Sequence, residues 1–146
     1  MSTEQTNSNE DTKQSTAPLI DCHAHLIDAV FTDTLGSILE RAQSNEIYGI
    51  ITVSQTYEEA EQILTLSKQF SLIKPSAGLH PCYIQSLTTE AERQSAMDNI
   101  TNFIHSSHEQ LICIGECGVD YSPWLLRDEK QDRATQLDIF IKHIEL

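Results

Sequence analysis

Two histidines separated by one residue, His23 and His25, are the first candidates for chemistry in this 146-residue chain. In an extended strand alternate side chains point to the same side, so both imidazoles can face one point. Neutral imidazole nitrogens bind zinc and similar divalent metals. The preceding Asp21 could orient one of the rings through a hydrogen bond. Taken alone, the pair is also compatible with a metal-free surface, because His-x-His arises by chance.

Three further polar side chains of the right type follow apolar segments later in the chain. His80 ends the segment 76–80, while Glu116 and Asp120 follow the apolar run Leu111–Ile114. All of these candidates therefore lie at or just beyond the carboxyl ends of predicted strands. In parallel α/β architectures that edge is where active sites are built.

The elements that must position these side chains alternate between strands and helices. Apolar and β-branched runs predict strands at residues 19–22, 47–53, 76–80 and 111–114. Apolar residues at helical spacing predict helices at about residues 35–42, 56–70, 88–104 and 133–146. This fourfold βα order with short connections predicts a parallel sheet with right-handed crossovers.

The composition limits the classes of partner. The net charge is −13, from 22 acidic and 9 basic residues, which argues against a broad electrostatic surface for nucleic acid. Bound divalent cations could still supply local positive charge for phosphate. No apolar run approaches the ~20 residues that a membrane span requires, so no membrane partner is expected.

Residues 1–18 form a polar, acidic segment with almost no apolar surface, and we expect a disordered tail. The segment lacks the features of a signal peptide, which predicts a cytoplasmic and/or nuclear location and reduced cysteines. Residues 19–146 are expected to form one domain.

Several other residues have a structural and a functional interpretation. Cys113 is predicted to be a small buried apolar residue, and His143 to lie on a helix surface. Tyr121 is assigned to packing. For Trp124 and Arg127 two alternatives stay open: stacking on a base and pairing with a phosphate, or loop packing and solvation.

The motifs taken together resemble those of the TatD-type metal-dependent deoxyribonucleases. They are Asp-x-His-x-His-Leu after the first strand, Gly-x-His-Pro after the third, and Gly-Glu-x-Gly-x-Asp after the fourth. The tract 114–123 is the most specific, and its Asp-Tyr-Ser-Pro part is most similar to the eukaryotic TatD-domain branch. The resemblance covers residues 19–146.

The resemblance implies an α/β fold of the (β/α)₈ TIM-barrel type and a two-metal site that cleaves DNA with a water nucleophile. His23 and His25 would bind the first divalent ion (Mg²⁺, Mn²⁺ or Zn²⁺), and Glu116 would bridge two such ions. His80 and Asp120 would line the substrate pocket, with Asp120 alternatively holding its loop. DNA, met at a strand end or lesion, is the implied substrate.

A complete barrel takes roughly 250 residues, so the 146 residues here correspond to about four βα units, the N-terminal half. The resemblance places further metal ligands and the general base beyond this sequence. Three alternatives therefore stay open. The chain could be a truncated product without catalysis, it could self-associate through its open sheet edges, or it could belong to a related small-molecule metal-dependent hydrolase.

Overall fold

A computed structural model of the protein describes residues 17–146, in which strands alternate with helices. The strands are β1 (Leu19–Ala24), β2 (Ile47–Thr52), β3 (Ile73–Ala77) and β4 (Cys113–Ile114). The helices are α1 (Leu35–Ser44), α2 (Tyr57–Gln69), α3 (Pro81–Ser86), α4 (Glu90–Ser107) and α5 (Glu129–Ile144), with a 3₁₀ turn at Ala29–Phe31. Apart from Ala17 and Pro18, the predicted tail lies outside the described residues.

The four strands form one parallel sheet in the order β1-β2-β3-β4. Ile50 pairs with Ile73 between β2 and β3, and Ser76 pairs with Cys113 between β3 and β4. Spatial order therefore equals chain order, and the sheet curls into half of a barrel. The predicted α/β class and the four βα units are confirmed.

Side-chain caps determine where the helices begin. Thr56 accepts a hydrogen bond from the Glu59 backbone N–H at the start of α2, and Thr89 forms a capping box with Glu92 at the start of α4. The short helix α3 was not predicted. It begins with Pro81 and its cap is the His80 side chain, so it lacks the usual Ser, Thr, Asp or Asn signal.

The apolar core lies between the sheet and the helices in two clusters. One cluster packs α2, α4 and α5 against the end of β3, and its most buried members are Ala60, Ala77, Leu79, Ile84 and Ile100. The second packs α1 and α2 against the middle of the sheet, through Leu26, Leu39, Ile50, Ile63 and Ile73. This packing fixes the central strands β2 and β3. It therefore also fixes the carboxyl ends of the strands, which we call the rim.

The outer strands depart from the sequence-based expectation. The first strand was predicted to be buried, yet Leu19 and Ile20 are 56% and 57% exposed. Cys113, predicted to be buried, is exposed as well, beside the 59% exposed Ile112. The reason is topological, because β1 and β4 each pair with one neighbour in the described sheet and form its two edges.

His143 corrects a second expectation. It was predicted to lie on the surface of α5, but it is only 3% exposed. Its Nε2 accepts the backbone N–H of Leu79 at 3.2 Å, and its Nδ1 faces the Ile139 carbonyl oxygen at 2.8 Å. Burial lowers the pKa of His143, so the ring is neutral and its Nδ1–H donates to Ile139.

The ends of β3 and β4 approach each other at two glycines. A Cβ atom added to Gly78 would overlap the carbonyl oxygen of Gly115, which is backbone and cannot move aside. The Gly115 N–H also donates to the Ala77 carbonyl at 3.1 Å. Glycine is thus required at position 78 for this approach.

We predict that Gly78→Ala lowers the free energy of unfolding by about 3 kcal/mol, because the extra methyl group overpacks the backbone. Chemical denaturation followed by circular dichroism measures this change. Gly36→Ala is the matched control, since nothing lies within 4 Å of an added Cβ there. That control should be neutral or stabilising by up to ~1 kcal/mol in helix α1. Equal stability of the two variants would contradict the close approach.

Candidate metal centre

The two histidines at the end of β1 face the same space. Their ring centroids are 5.2 Å apart and the rings meet edge to face at 70°. The Asp21 carboxylate accepts the backbone N–H of His23 at 3.0 Å. Asp21 therefore supports the backbone of β1 at His23, and its role in orienting an imidazole stays a prediction.

Glu116, immediately after β4, lies at the centre of the site. Its φ angle of 54° is left-handed, a conformation that residues with a side chain rarely adopt. Its Oε1 is 3.2 Å from the Nε2 of His23 and 3.3 Å from the Nε2 of His25. Strained backbone of this kind concentrates at functional sites, and here it accompanies the contact of the Glu116 side chain with His23 and His25.

The second carboxylate oxygen of Glu116 indicates what the cluster can hold. Oε2 is buried and has no hydrogen-bond partner among residues 17–146, an arrangement that is costly for a carboxylate. Together His23, His25 and Glu116 offer one ligand atom each within 4.8 Å of one another. Two imidazole nitrogens and a carboxylate oxygen are a suitable donor set for a divalent transition metal. The residues present therefore fit a cation.

His80 joins the cluster in a different role. Its Nδ1 accepts the backbone N–H of Cys82 at 3.0 Å, which caps helix α3. In the neutral ring the proton therefore resides on Nε2, which lies 3.8 Å from Oε1 of Glu116. A protonated Nε2 is a hydrogen-bond donor and cannot bind a metal ion. His80 can thus donate to an anionic oxygen next to the cluster.

Asp120 lies beside His80 and outside the three-ligand cluster. Hydrogen bonds from Ser122 hold the pKa of the Asp120 carboxyl below its usual range, and the nearby His80 contributes in the same direction. Oδ1 accepts the Ser122 N–H at 2.9 Å, and the Cys82 thiol approaches Oδ2 at 3.9 Å. Burial and the Asp120 charge raise the pKa of Cys82, so this thiol is a neutral neighbour.

The structure distinguishes between the interpretations of Tyr121 and Trp124. The Tyr121 ring packs under the Arg133 guanidinium at 4.3 Å, in agreement with its predicted packing role. Trp124 is 85% exposed, which argues against the loop-packing alternative. A residue that the sequence did not single out is Gln136, whose Oε1 accepts the Asp120 backbone N–H at 2.7 Å. Its helical spacing from Ile139 and His143 was the available signal.

A family model described as TatD related DNase matches residues 20–146. This chain belongs to that family. Deoxyribonuclease TATDN3 of Homo sapiens is 30% identical over 132 residues, which cover 88% of this chain and 47% of the relative. The 3'-5' ssDNA/RNA exonuclease TatD of Shigella flexneri is 24% identical over 116 residues, 80% of this chain and 42% of the relative. The chain thus spans under half the length of either.

A solved structure of a TatD homologue has a similar fold. The crystal structure of YJJV, a TatD homologue from Escherichia coli K12, superposes with a TM-score of 0.71 at 20% identity. The match covers 86% of this chain and 45% of that structure. It confirms the barrel-type architecture. Among the described residues, no helix combines the length and apolar character needed to cross a membrane.

We predict that the tag-free protein binds a divalent cation such as Zn²⁺ or Mn²⁺, and that His25→Ala weakens binding by about tenfold or more. Removing one of three ligands leaves too few donors at the cluster. Isothermal titration calorimetry measures the affinity. His105→Ala, at an exposed position of α4, is the control and should bind like the wild type. Identical binding by His25→Ala would contradict the site.

Proposed function

We propose that the chain carries part of the catalytic site of a TatD-like deoxyribonuclease, which hydrolyses phosphodiesters with divalent metal and a water nucleophile. One observation carries the proposal. A single oxygen of Glu116 lies within 3.3 Å of both imidazoles of the His-x-His pair, while its other oxygen is buried without a partner. Family membership then gives this donor set its chemistry.

In this proposal His23, His25 and Glu116 hold one divalent ion. The free Oε2 of Glu116 supports its role as the bridge to a second ion. Imidazole ligands favour Zn²⁺ over Mg²⁺ or Mn²⁺ at the histidine side. Bound divalent ions lower the pKa of coordinated water and neutralise charge on phosphate.

The residues around the cluster act on the substrate. His80 donates the hydrogen on Nε2 to a phosphate oxygen, since its Nδ1 is already occupied by Cys82. Asp120 stays ionised because of Ser122, and it lines the pocket while holding its own loop. This division of roles leaves proton abstraction from water to groups outside these five residues.

The charge of the protein favours a local mode of nucleic-acid recognition. With a net charge of −13 the surface offers few cations for a long phosphate track. Contact through bound metal and His80 suits a strand end or a lesion, where one phosphate is presented. Two relatives, a deoxyribonuclease and a single-stranded DNA/RNA exonuclease, support nucleic acid over a small amide or lactone. We place this activity in the cytoplasm, the nucleus or both.

A second candidate is a chain without catalysis of its own. The observation that favours it is the count of ligands, since the described cluster offers three donor residues where a two-metal site needs more. The chain also spans under half the length of its relatives. The next two experiments address these alternatives.

We expect metal-dependent cleavage of a labelled single-stranded DNA 20-mer, lost on addition of EDTA. His25→Ala should reduce the rate by about 100-fold or more, because it removes a metal ligand. Gel electrophoresis of the products measures the rate and separates exonuclease ladders from internal cuts. His105→Ala is again the control. Absence of cleavage by a protein that binds metal normally would favour the second candidate, and cleavage of a lactone alone would indicate a small-molecule hydrolase.

We also propose that two copies associate through the open sheet edges, which would bring two sets of ligands to a common rim. Exposed Ile20 on β1 and Ile112 beside β4 make these edges apolar, and such edges promote pairing. Light scattering after size exclusion should give twice the 16.4-kDa chain mass, and Ile112→Lys should restore the monomer. Val30→Lys, at a 72% exposed position away from the strands, should remain a dimer. A stable wild-type monomer would contradict self-association.

A further inference from the structure

We propose that helix α5 is a positioning element for the site, through the buried side chains of Gln136 and His143. Neither side chain belongs to the metal cluster. Each accepts a backbone N–H on the rim, one from Asp120 and the other from the residue before His80. The proposal rests on the function proposed above only for the roles of His80 and Asp120.

The two side chains share one face of α5. They are seven residues apart, which is two helical turns, and Ile139 lies between them. Gln136 is 1% exposed, Ile139 5% and His143 3%. Polar groups this deeply buried are stable only with hydrogen-bond partners. An apolar side chain could fill the same space without needing a hydrogen-bond partner. The partners of Gln136 and His143 therefore indicate what these two polar side chains do.

His143 completes a set of contacts that fixes the end of β3. Three consecutive backbone N–H groups there donate to two elements, the loop after β2 and helix α5. The Gly78 N–H donates to the Ser54 hydroxyl at 3.1 Å, and the His80 N–H donates to the Gln55 carbonyl at 3.0 Å. The middle one, from Leu79, donates to Nε2 of His143 at 3.2 Å. Helix α5 therefore supplies the contact that the loop after β2 does not reach.

Gln136 fixes the loop that carries Asp120. Its Oε1 accepts the Asp120 N–H at 2.7 Å, and its Nε2 donates to Oε1 of Gln85 at 3.5 Å. Gln85 lies on α3, the helix whose first residues are capped by His80. Gln136 thus links the loop of Asp120 to the helix that begins at His80. Arg133, one turn earlier, stacks over the neighbouring Tyr121.

These contacts set the relative placement of a hydrogen-bond donor and a carboxylate. The donor is Nε2–H of His80, and the carboxylate is that of Asp120. Cys82 contacts both residues, since its N–H donates to Nδ1 of His80 and its thiol approaches Oδ2 of Asp120. Within the described residues, none of the side-chain hydrogen bonds or ion pairs of His23, His25 and Glu116 involves helix α5. Loss of the α5 contacts should therefore weaken anion binding while leaving metal binding intact.

The experiment compares variants that keep or lose each acceptor. At position 143, Gln can place an oxygen near the position of Nε2 and retain the Leu79 contact, whereas the shorter Asn cannot. At position 136, Glu retains an acceptor and Met does not. Gln131→Met, at an exposed position of the same helix, is the matched control. Circular dichroism verifies that each variant is folded.

Two titrations follow on each folded variant, Mn²⁺ alone and then inorganic phosphate in the presence of Mn²⁺. For His143→Asn and Gln136→Met we expect Mn²⁺ affinity within about twofold of wild type. Phosphate affinity should fall by about tenfold or more, as small misplacements of binding groups do. His143→Gln and the Gln131→Met control should bind phosphate like the wild type. Gln136→Glu should lose less than Gln136→Met.

A third measurement does not depend on phosphate binding at all. Long-range ¹H–¹⁵N spectra of the imidazoles at pH 8 report which nitrogen of His80 carries the proton. Wild type and His143→Gln should show the Nε2–H form, and His143→Asn a mixture of the two forms. If the wild type binds Mn²⁺ but no phosphate, the proposed function fails and this signal alone decides the positioning role.

Three results would overturn the proposal. One is a parallel loss of Mn²⁺ and phosphate affinity, which indicates a general structural role. Another is unchanged phosphate binding and an unchanged His80 signal in His143→Asn. The third is equal loss in His143→Gln and His143→Asn. Should Gln136→Met fail to fold, the pair of variants at position 143 still decides.

Discussion

The site depends on the close approach of two strand ends, where Gly78 after β3 lies against Gly115 after β4. The hydrogen bond from the Gly115 N–H to the Ala77 carbonyl, at 3.1 Å, continues the parallel ladder beyond the paired residues of β4. This approach places Glu116 over the sheet edge, within reach of the imidazoles from β1 and β3. A side chain at position 78 would separate the strands, and the carboxylate would move away from its partners.

Burial differs between the two sides of the site. The side formed by β3 is buried, and its backbone N–H groups are satisfied by Ser54, His143 and Gln55. The side formed by β1 is open, with the His23 side chain 54% exposed. The hydrogen-bonded backbone on the β3 side can hold a donor such as His80 in a fixed position. The exposed β1 side can exchange ions with solvent.

The open edges of the sheet explain why apolar residues are exposed beside the cluster. β1 and β4 end the described sheet, so Leu19, Ile20 and Ile112 face solvent together with the histidines. The Oε2 of Glu116, just after β4, is by contrast buried, and it has no hydrogen-bond partner among the described residues. Unsatisfied polar groups and exposed apolar strands are both costly, and a bound cation and a covering protein surface would relieve them respectively.

The sequence by itself determined the βα alternation, the parallel order and which residues form the cluster of His23, His25 and Glu116, because these follow from local periodicity, capping and short motifs. Exposure of β1 and Cys113 depended on which strands are edges, which periodicity does not record. The burial of His143 and Gln136 depended on packing of α5 against α3 and the end of β3, more than 50 residues away in the chain. The left-handed Glu116 and its distances to three histidines were likewise set by tertiary contact, since strands distant in sequence meet there only after folding.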